Sequence, residues 1–424
     1  MPVAAVPRYL GQDFREASPG LRFGMYLAIW TDRADQEKEV NKRAKVKSPE
    51  GQEVAELLQT LGMDETIARL RRRERRPLPG LWDKNDFAAR SAWRQFAELS
   101  DADRARMSAL LQRQRAMAAV QAREGGLFVL DAQAVAPFTT GLGNEHPLEN
   151  GFAFLWPYGL PYLPGSGVKG VLRQAARELV TGDWGKAHGW SEAAIQVLFG
   201  SEDINEARRG ALAFWDVIPQ IRGDRLLVEV MTAHQSHYYQ KGASPHESGQ
   251  PNPICFLTVP PGSGFTFHVV CDLPLLKRWS PELTAGDRWK QLLEQAFLHA
   301  FDWLGFGAKT AVGYGAMRQD EAAVRKREQA AAEAALRRLS PEQRQIEALR
   351  KVFAEERAKG ALTANSRTAS ERMDLLRAAQ EWTDPVLRRE AAALIRETVE
   401  ALPWSRKAKK QGIPDRLNAL ESTP

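Results

Sequence analysis

The sequence predicts an α+β protein: a β-α-β-β-α-β core carrying one large helical insertion and a helical C-terminal extension. Three observations predict it. Composition changes along the chain, from charged and helix-favouring over residues 33–124, to Gly-, Pro- and aromatic-rich over 125–320, to Ala/Glu/Arg/Leu-rich from Glu321 onward. Within the middle block, apolar residues partly alternate as they do on half-buried strands. Two longer stretches there, Val168 to Val180 and Asp287 to Leu304, repeat with helical spacing.

Taken in order, Leu21 to Trp30 is an apolar run that reads as a strand or a buried segment. Residues 33–124 are poor in β-branched side chains and read as helices. Leu127 to Val135 is a strand. The next helix places Val168, Leu172, Ala175, Ala176 and Leu179 on one face. Ala211 to Val217 and Leu226 to Met231 read as strands. Ile254 to Val259 and Phe265 to Val270, joined by Pro260-Pro261-Gly262-Ser263-Gly264, form a predicted hairpin. The second long helix follows, and Tyr314 to Arg318 closes the set. This order is the ferredoxin-like (RRM-like) arrangement, which many RNA-binding modules share. The core then comprises residues 1–32 and 125–320, with 33–124 as the basic helical insertion and 321–424 as the extension.

Of 424 residues, 43% are hydrophobic, enough to bury a real core. Lys and Arg number 59 against 53 Asp and Glu, a net charge of +6 that permits a polyanionic partner without requiring one. Cys255 and Cys271 stand in no metal-ligand spacing, as expected of a protein of the reducing cytoplasm. The first 20 residues lack the basic-then-apolar pattern of a signal peptide, and no apolar window is long enough to cross a membrane. We therefore expect a cytoplasmic protein with no membrane partner and no cofactor.

The chemistry-bearing motifs are glycine loops. Thr140 to Gly151 (TGLGNEHPLENG) contains Gly141, Gly143 and His146. Pro161 to Arg173 (PYLPGSGVKGVLR) contains Gly165, Ser166, Gly167, Lys169 and Arg173, and it opens a helix. Glycines let backbone N–H groups turn inward as an anion-binding nest, and a helix N-terminus adds partial positive charge. Lys169 and Arg173, four apart, share a helix face and are placed to bracket a phosphate. The spacing is not that of a nucleoside-triphosphate loop. Gly305 to Gly315 (GFGAKTAVGYG) adds Gly305, Gly307, Lys309 and Gly313, with two aromatic rings as stacking faces. The alternative for each loop is a tight connection and nothing more.

Other candidates are less specific. His234 and His237 in HQSH lack the HExxH pattern, so no metal site is read; Tyr238 and Tyr239 are expected to stack on bases or pack on a partner. Arg69 to Arg76 (RLRRRERR), including Arg71, Arg72 and Arg73, forms a cationic ridge for phosphates or a solvated helix face.

The two glycine loops, in this order, resemble the RAMP superfamily of CRISPR-associated proteins: PYLPGSGVKGVLR is similar to its helix-opening motif, and GFGAKTAVGYG to its C-terminal glycine-rich loop. TGLGNEHPLENG, VMTAHQSHYYQ and PICFLTV resemble the small capping RAMP subunit of type III-B (Cmr) effector complexes. The resemblance covers roughly residues 125–318; Gly167 stands where the motif has a serine, and the two helical additions are larger than the pattern. It implies a ferredoxin-like core and a non-catalytic, guide-RNA-binding subunit near the guide's 3′ end. The implied partners are guide RNA, target RNA and other RAMP subunits, in antiviral defence. The alternative within the superfamily is a metal-independent endoribonuclease that processes guide RNA, with His146 as general acid or base.

Overall fold

The computed structural model describes every residue except 1–2, 31–32, 74–85, 182–188, 202–206, 234–251, 405–411 and 422–424. Two compact units are present, Met1–Ala323 and Val324–Pro424. Among the described residues no helix is long and apolar enough to cross a membrane.

In the first unit, helices α1 (Pro19–Gly24), α2 (Arg33–Ala44), α3 (Pro49–Arg73), α4 (Asp86–Ala97) and α5 (Asp101–Arg123) precede the sheet. The start of α5 is set by a capping box: Ser100 Oγ accepts the Asp103 N–H at 3.1 Å, and the Asp103 carboxylate accepts the Ser100 N–H at 3.0 Å. There follow β1 (Leu127–Ala134), the short pair β2 (Phe154–Leu155) and β3 (Leu160–Pro161), and α6 (Gly165–Val180). Next come α7 (Glu192–Phe199), β4 (Leu212–Phe214), β5 (Leu227–Ala233), β6 (Asn252–Thr258) and β7 (Gly264–Cys271). The unit ends with α8 (Leu273–Trp279), α9 (Pro281–Thr284), α10 (Arg288–His299) and β8 (Met317–Gln319).

The main sheet has the order β4-β7-β1-β8, all pairs antiparallel. Its inner face is apolar because alternate residues point one way: Leu130, Ala132, Phe265, Phe267 and Val269 are buried with α6 (Leu172, Ala175, Ala176) and α10 (Trp289, Leu292, Leu293, Phe297). The intervening positions include the polar Asp131, Gln133, Thr266 and His268. Thr266 Oγ1 donates to Asp131 Oδ1 at 2.8 Å, and Gln220 Nε2 donates to Thr266. Helix α5 lies beside the β4 edge, where Gln114 Nε2 donates to the Asp216 carbonyl at 2.6 Å. A covered edge is protected from pairing with another chain.

Two expectations are corrected. Ile254–Val259 does not pair with Phe265–Val270: β6 pairs with β5 over seven residues, from Asn252 to Thr258, in a separate two-stranded sheet. The reason is competition for β7, whose two sides are taken by β1 and β4. The connecting residues are tied elsewhere, Val259 to Phe138 and Gly262 N–H to the Ala134 carbonyl. The run Leu21–Trp30 is a buried segment, with Phe23, Leu27 and Ile29 inside, but it begins as helix α1. Pro19 at the first turn presets the helical φ there.

The second unit holds α12 (Pro341–Ala358), α13 (Arg367–Glu381), α14 (Pro385–Ala401) and α15 (Ile413–Glu421), reached through α11 (Glu321–Arg338). Ile346, Leu349, Leu375, Leu376, Leu394, Ile395 and Leu417 form its core. Arg372 is buried there, its guanidinium 4.2 Å from the Trp404 ring centroid and donating to the Leu402 carbonyl.

Candidate nucleic-acid interface

Strand direction brings two of the three glycine segments to one place. Because β7 and β8 are both antiparallel to β1, the end of β1 and the starts of β7 and β8 share one end of the sheet. The three residues of β4 instead lie opposite the far half of β7, with Phe214 against Val269, which also faces Phe128 near the start of β1. The chain leaving β1 carries the 140–151 loop and then the opening of α6. The 305–315 loop enters β8 at the same end. Strands β4 and β8 are the two edges of the sheet, separated by three strand spacings, or about 14 Å. The 140–151 and 305–315 loops therefore share a sheet end, while the opening of α6, whose Gly165 N–H bonds Asp216 just after β4, lies at the β4 edge away from that end.

The 140–151 and 305–315 loops join through Pro137–Thr140. Gly315 N–H donates to the Pro137 carbonyl and Ala308 N–H to the Thr139 carbonyl, both at 2.8 Å. On the other side, Thr139 Oγ1 donates to the Leu257 carbonyl at 2.9 Å and Asn150 Nδ2 to the Cys255 carbonyl at 3.0 Å, which fastens the junction to β6. Glycine is required where these segments touch. A Cβ on Gly307 would lie 2.2 Å from the Thr139 oxygen, and one on Gly315 would lie 1.8 Å from the Phe306 oxygen.

Lys309 is the exceptional residue of the 305–315 loop. It adopts a left-handed conformation (φ 59°, ψ 30°) just before a 3-10 turn over Thr310–Val312. A left-handed residue followed by a right-handed one turns three successive N–H groups to one side, making a concave anion site. Those of Lys309, Thr310 and Ala311 make no backbone hydrogen bond among the described residues. The Lys309 ammonium lies 3.4 Å from Met231 Sδ and 5.3 Å from the Phe256 ring centroid, with no carboxylate partner among the described residues. Thioether and ring hold the cation weakly, so its charge stays available. Tyr314 stands edge-on to Phe256 at 5.4 Å. Burial, then the charge of Glu229 and a hydrogen bond to it, push the Tyr314 hydroxyl up.

The α6 opening differs from the sequence expectation. Gly165 N–H donates to Asp216 Oδ1 at 2.8 Å, so the first turn of this helix already carries an anion from its own chain. Gly167 N–H is bonded to the Pro164 carbonyl, and Ser166 and Gly167 are exposed. Lys169 is half-buried, its ammonium held below the usual lysine range by burial and then by the Arg173 charge. Arg173 Nη2 donates to the Gly200 carbonyl at 3.1 Å, which ties α6 to the end of α7.

His146 is built into the fold. Its ring stacks on Phe23 at 3.8 Å, Nδ1 accepts the Leu148 N–H at 3.1 Å, and Nε2 faces the Phe23 carbonyl at 2.8 Å. Both ring nitrogens are thus engaged, so the expected phosphate or acid–base role gives way to a structural one. Of the two aromatics expected as stacking faces, Phe306 is fully buried against Phe267 and Phe297 and cannot meet a base. Gly141 lies half-buried beside Ala153, while Gly143 and Gly313 are exposed and Gly305 is buried. His234, Tyr238 and Tyr239 lie outside the described residues. Arg71, Arg72 and Arg73 close the backbone of α3, and their side chains lie outside the described residues. Sequence reasoning missed Met231, Phe256 and Glu229 as neighbours of the loop. Met231 ends a segment read as a strand, and its thioether carried no separate signal.

Residues 131–318 match the RAMP superfamily. The RAMP segment begins inside β1 and ends inside β8, so it contains every glycine loop described above. The CRISPR system Cmr subunit Cmr6 of Pyrococcus furiosus is 28% identical over an alignment of 229 positions that covers 41% of this chain and 63% of that protein. The chain thus spans less than two thirds of that relative's length. Among solved structures, a chain of the type III-B Cmr-beta complex bound to cognate target RNA aligns with 68% of this chain and 95% of its own, at 17% identity and TM-score 0.39. The crystal structure of Cmr6 from Pyrococcus furiosus aligns with 46% of this chain and 97% of its own, at 24% identity and TM-score 0.27.

Proposed function

We propose that this chain is a non-catalytic RNA-binding subunit of a type III-B CRISPR ribonucleoprotein, holding guide RNA by its sugar–phosphate backbone at the glycine-loop end of the sheet. The observation that carries the reading is the Lys309 site: three convergent N–H groups and a cation without a carboxylate partner among the described residues, on a loop fastened to both sheets. That combination suits a phosphate, which accepts several hydrogen bonds and needs one counter-charge. The match of residues 131–318 to the RAMP superfamily and the 28% identity to a Cmr6 protein support the same reading.

On this reading the β-α-β-β-α-β order with sheet order β4-β7-β1-β8 is a ferredoxin-like core made of residues 1–32 and 125–320. The helices of 33–124 and 321–424 are additions to it. The subunit works in the cytoplasm, near the 3′ end of the guide, beside other RAMP subunits and the target RNA, in antiviral defence. Base pairing reads sequence while protein reads backbone and charge. The engagement of both His146 ring nitrogens in packing supports the non-catalytic form of this reading.

The test is guide-RNA binding by fluorescence anisotropy across a salt series, comparing the native chain with Lys169→Ala/Lys309→Ala. Two lost phosphate contacts lower the salt slope on a single strand by about 1.4. An unchanged affinity and slope refute the assignment.

A further inference from the structure

We propose that the cleft between α5 and the end of β4 receives one unstacked, amino-bearing nucleobase of the strand whose phosphates the glycine loops hold. The inference rests on the RNA-binding reading above and adds a base pocket to it. The cleft has a volume of about 430 Å³, within the ordinary range of small-molecule sites of roughly 300–1,000 Å³. It lies at the mouth of α6, toward the other end of the sheet from the 140–151 and 305–315 loops, because Trp215 and Asp216 directly follow β4 and Gly165 N–H donates to Asp216.

Three chemistries meet in it. Trp215 and Tyr158 supply flat faces. The Trp215 ring stacks on His268 at 5.2 Å with 28° between planes, yet Trp215 belongs to no hydrophobic cluster among the described residues. A half-buried aromatic with one occupied face leaves the rest of its surface to the cleft. Arg113, exposed on α5, is the cation, and its Nη1 donates to the Tyr158 hydroxyl at 3.3 Å. Asp216 is the acceptor. Its Oδ1 is fixed by the Gly165 N–H, which leaves Oδ2 for the amino group of a base. Single-stranded RNA is held in this way, by aromatic and guanidinium stacking with polar contacts to the base edge. The bond from Gly165 to Asp216 also links the cleft directly to the mouth of α6, beside Lys169.

The experiment measures binding of the full chain to single-stranded oligo-C, oligo-U and an abasic ribose–phosphate strand of equal length. Oligo-C binds several-fold more tightly than oligo-U, and both bind more tightly than the abasic strand. Trp215→Leu weakens oligo-C binding about tenfold with the salt slope unchanged, and Arg113→Gln, an exposed change that leaves the core intact, weakens it as well. If the native chain binds RNA with the expected salt slope but treats all three strands alike, or both variants bind like the native chain, the base pocket is refuted while the backbone reading stands. If the native chain binds none of the strands, the RNA-binding reading itself is overturned.

Discussion

Replacing Lys309 by glycine and by alanine separates what its backbone does from what its charge does. The residue holds φ at 59° with a full side chain, a conformation that costs an L-residue about 1–2 kcal/mol. Alanine keeps that cost and loses the contact between the ammonium and the Phe256 ring, worth about 0.5–1 kcal/mol. Glycine loses the same contact but relieves the left-handed strain, against an extra chain-entropy cost of about 0.5–1 kcal/mol. Lys309→Gly should therefore be more stable than Lys309→Ala by about 0.5–1 kcal/mol, with the glycine variant close to the native chain. Denaturant unfolding at matched conditions reads this difference. Both variants remove the same charge, so both should weaken RNA binding about equally and lower the salt slope by about 0.7. If the glycine variant is less stable than the alanine variant, the left-handed backbone does not carry the strain assigned to it. If either variant retains the native salt slope, the ammonium does not meet a phosphate.

Two further expectations concern the same loop and the second unit. Gly315→Ala should destabilise by about 3 kcal/mol or more, because its Cβ falls 1.8 Å from a backbone oxygen, whereas Gly313→Ala, in open space, should cost only about 1 kcal/mol; denaturant unfolding of both checks the ranking. In the second unit the Thr368 hydroxyl, 2.6 Å away, and the N–H groups of Thr368 and Arg367 hold the Glu356 carboxyl down at about 2. A depressed carboxylate stabilises fully above its unfolded value near 4.5 and loses that contribution as pH falls toward 2. The stability advantage of the native chain over Glu356→Gln should therefore shrink between pH 5 and pH 2, as read by urea unfolding across that range.

Periodicity was a sound guide wherever the structure follows one face of one element. Val168, Leu172, Ala175, Ala176 and Leu179 are buried on α6 as their spacing indicates, and β1, β5, β6 and β7 fall close to their expected places. Pairing was not legible in the same way. A turn such as Pro260–Gly264 looks alike whether it joins partners or carries the chain between two sheets, and competition from β1 and β4 for β7 decides which. The site shows the same division. Glycine spacing marked the loops, yet Phe306 is consumed by the core and His146 by Phe23, since a ring's exposure depends on what packs against it.

By itself, the amino-acid order determined an α+β chain with helical additions, the approximate strands and helices, and the glycine-rich segments. These follow from local rules of period, propensity and backbone freedom, which act over a few residues. Only tertiary structure decided that Asp216 caps the first turn of α6, that Met231 and Phe256 hold Lys309, and that Trp215 faces a cleft beside α5. Each of these joins residues from about 50 to 100 positions apart, and such encounters are fixed by strand order and burial, not by local preference.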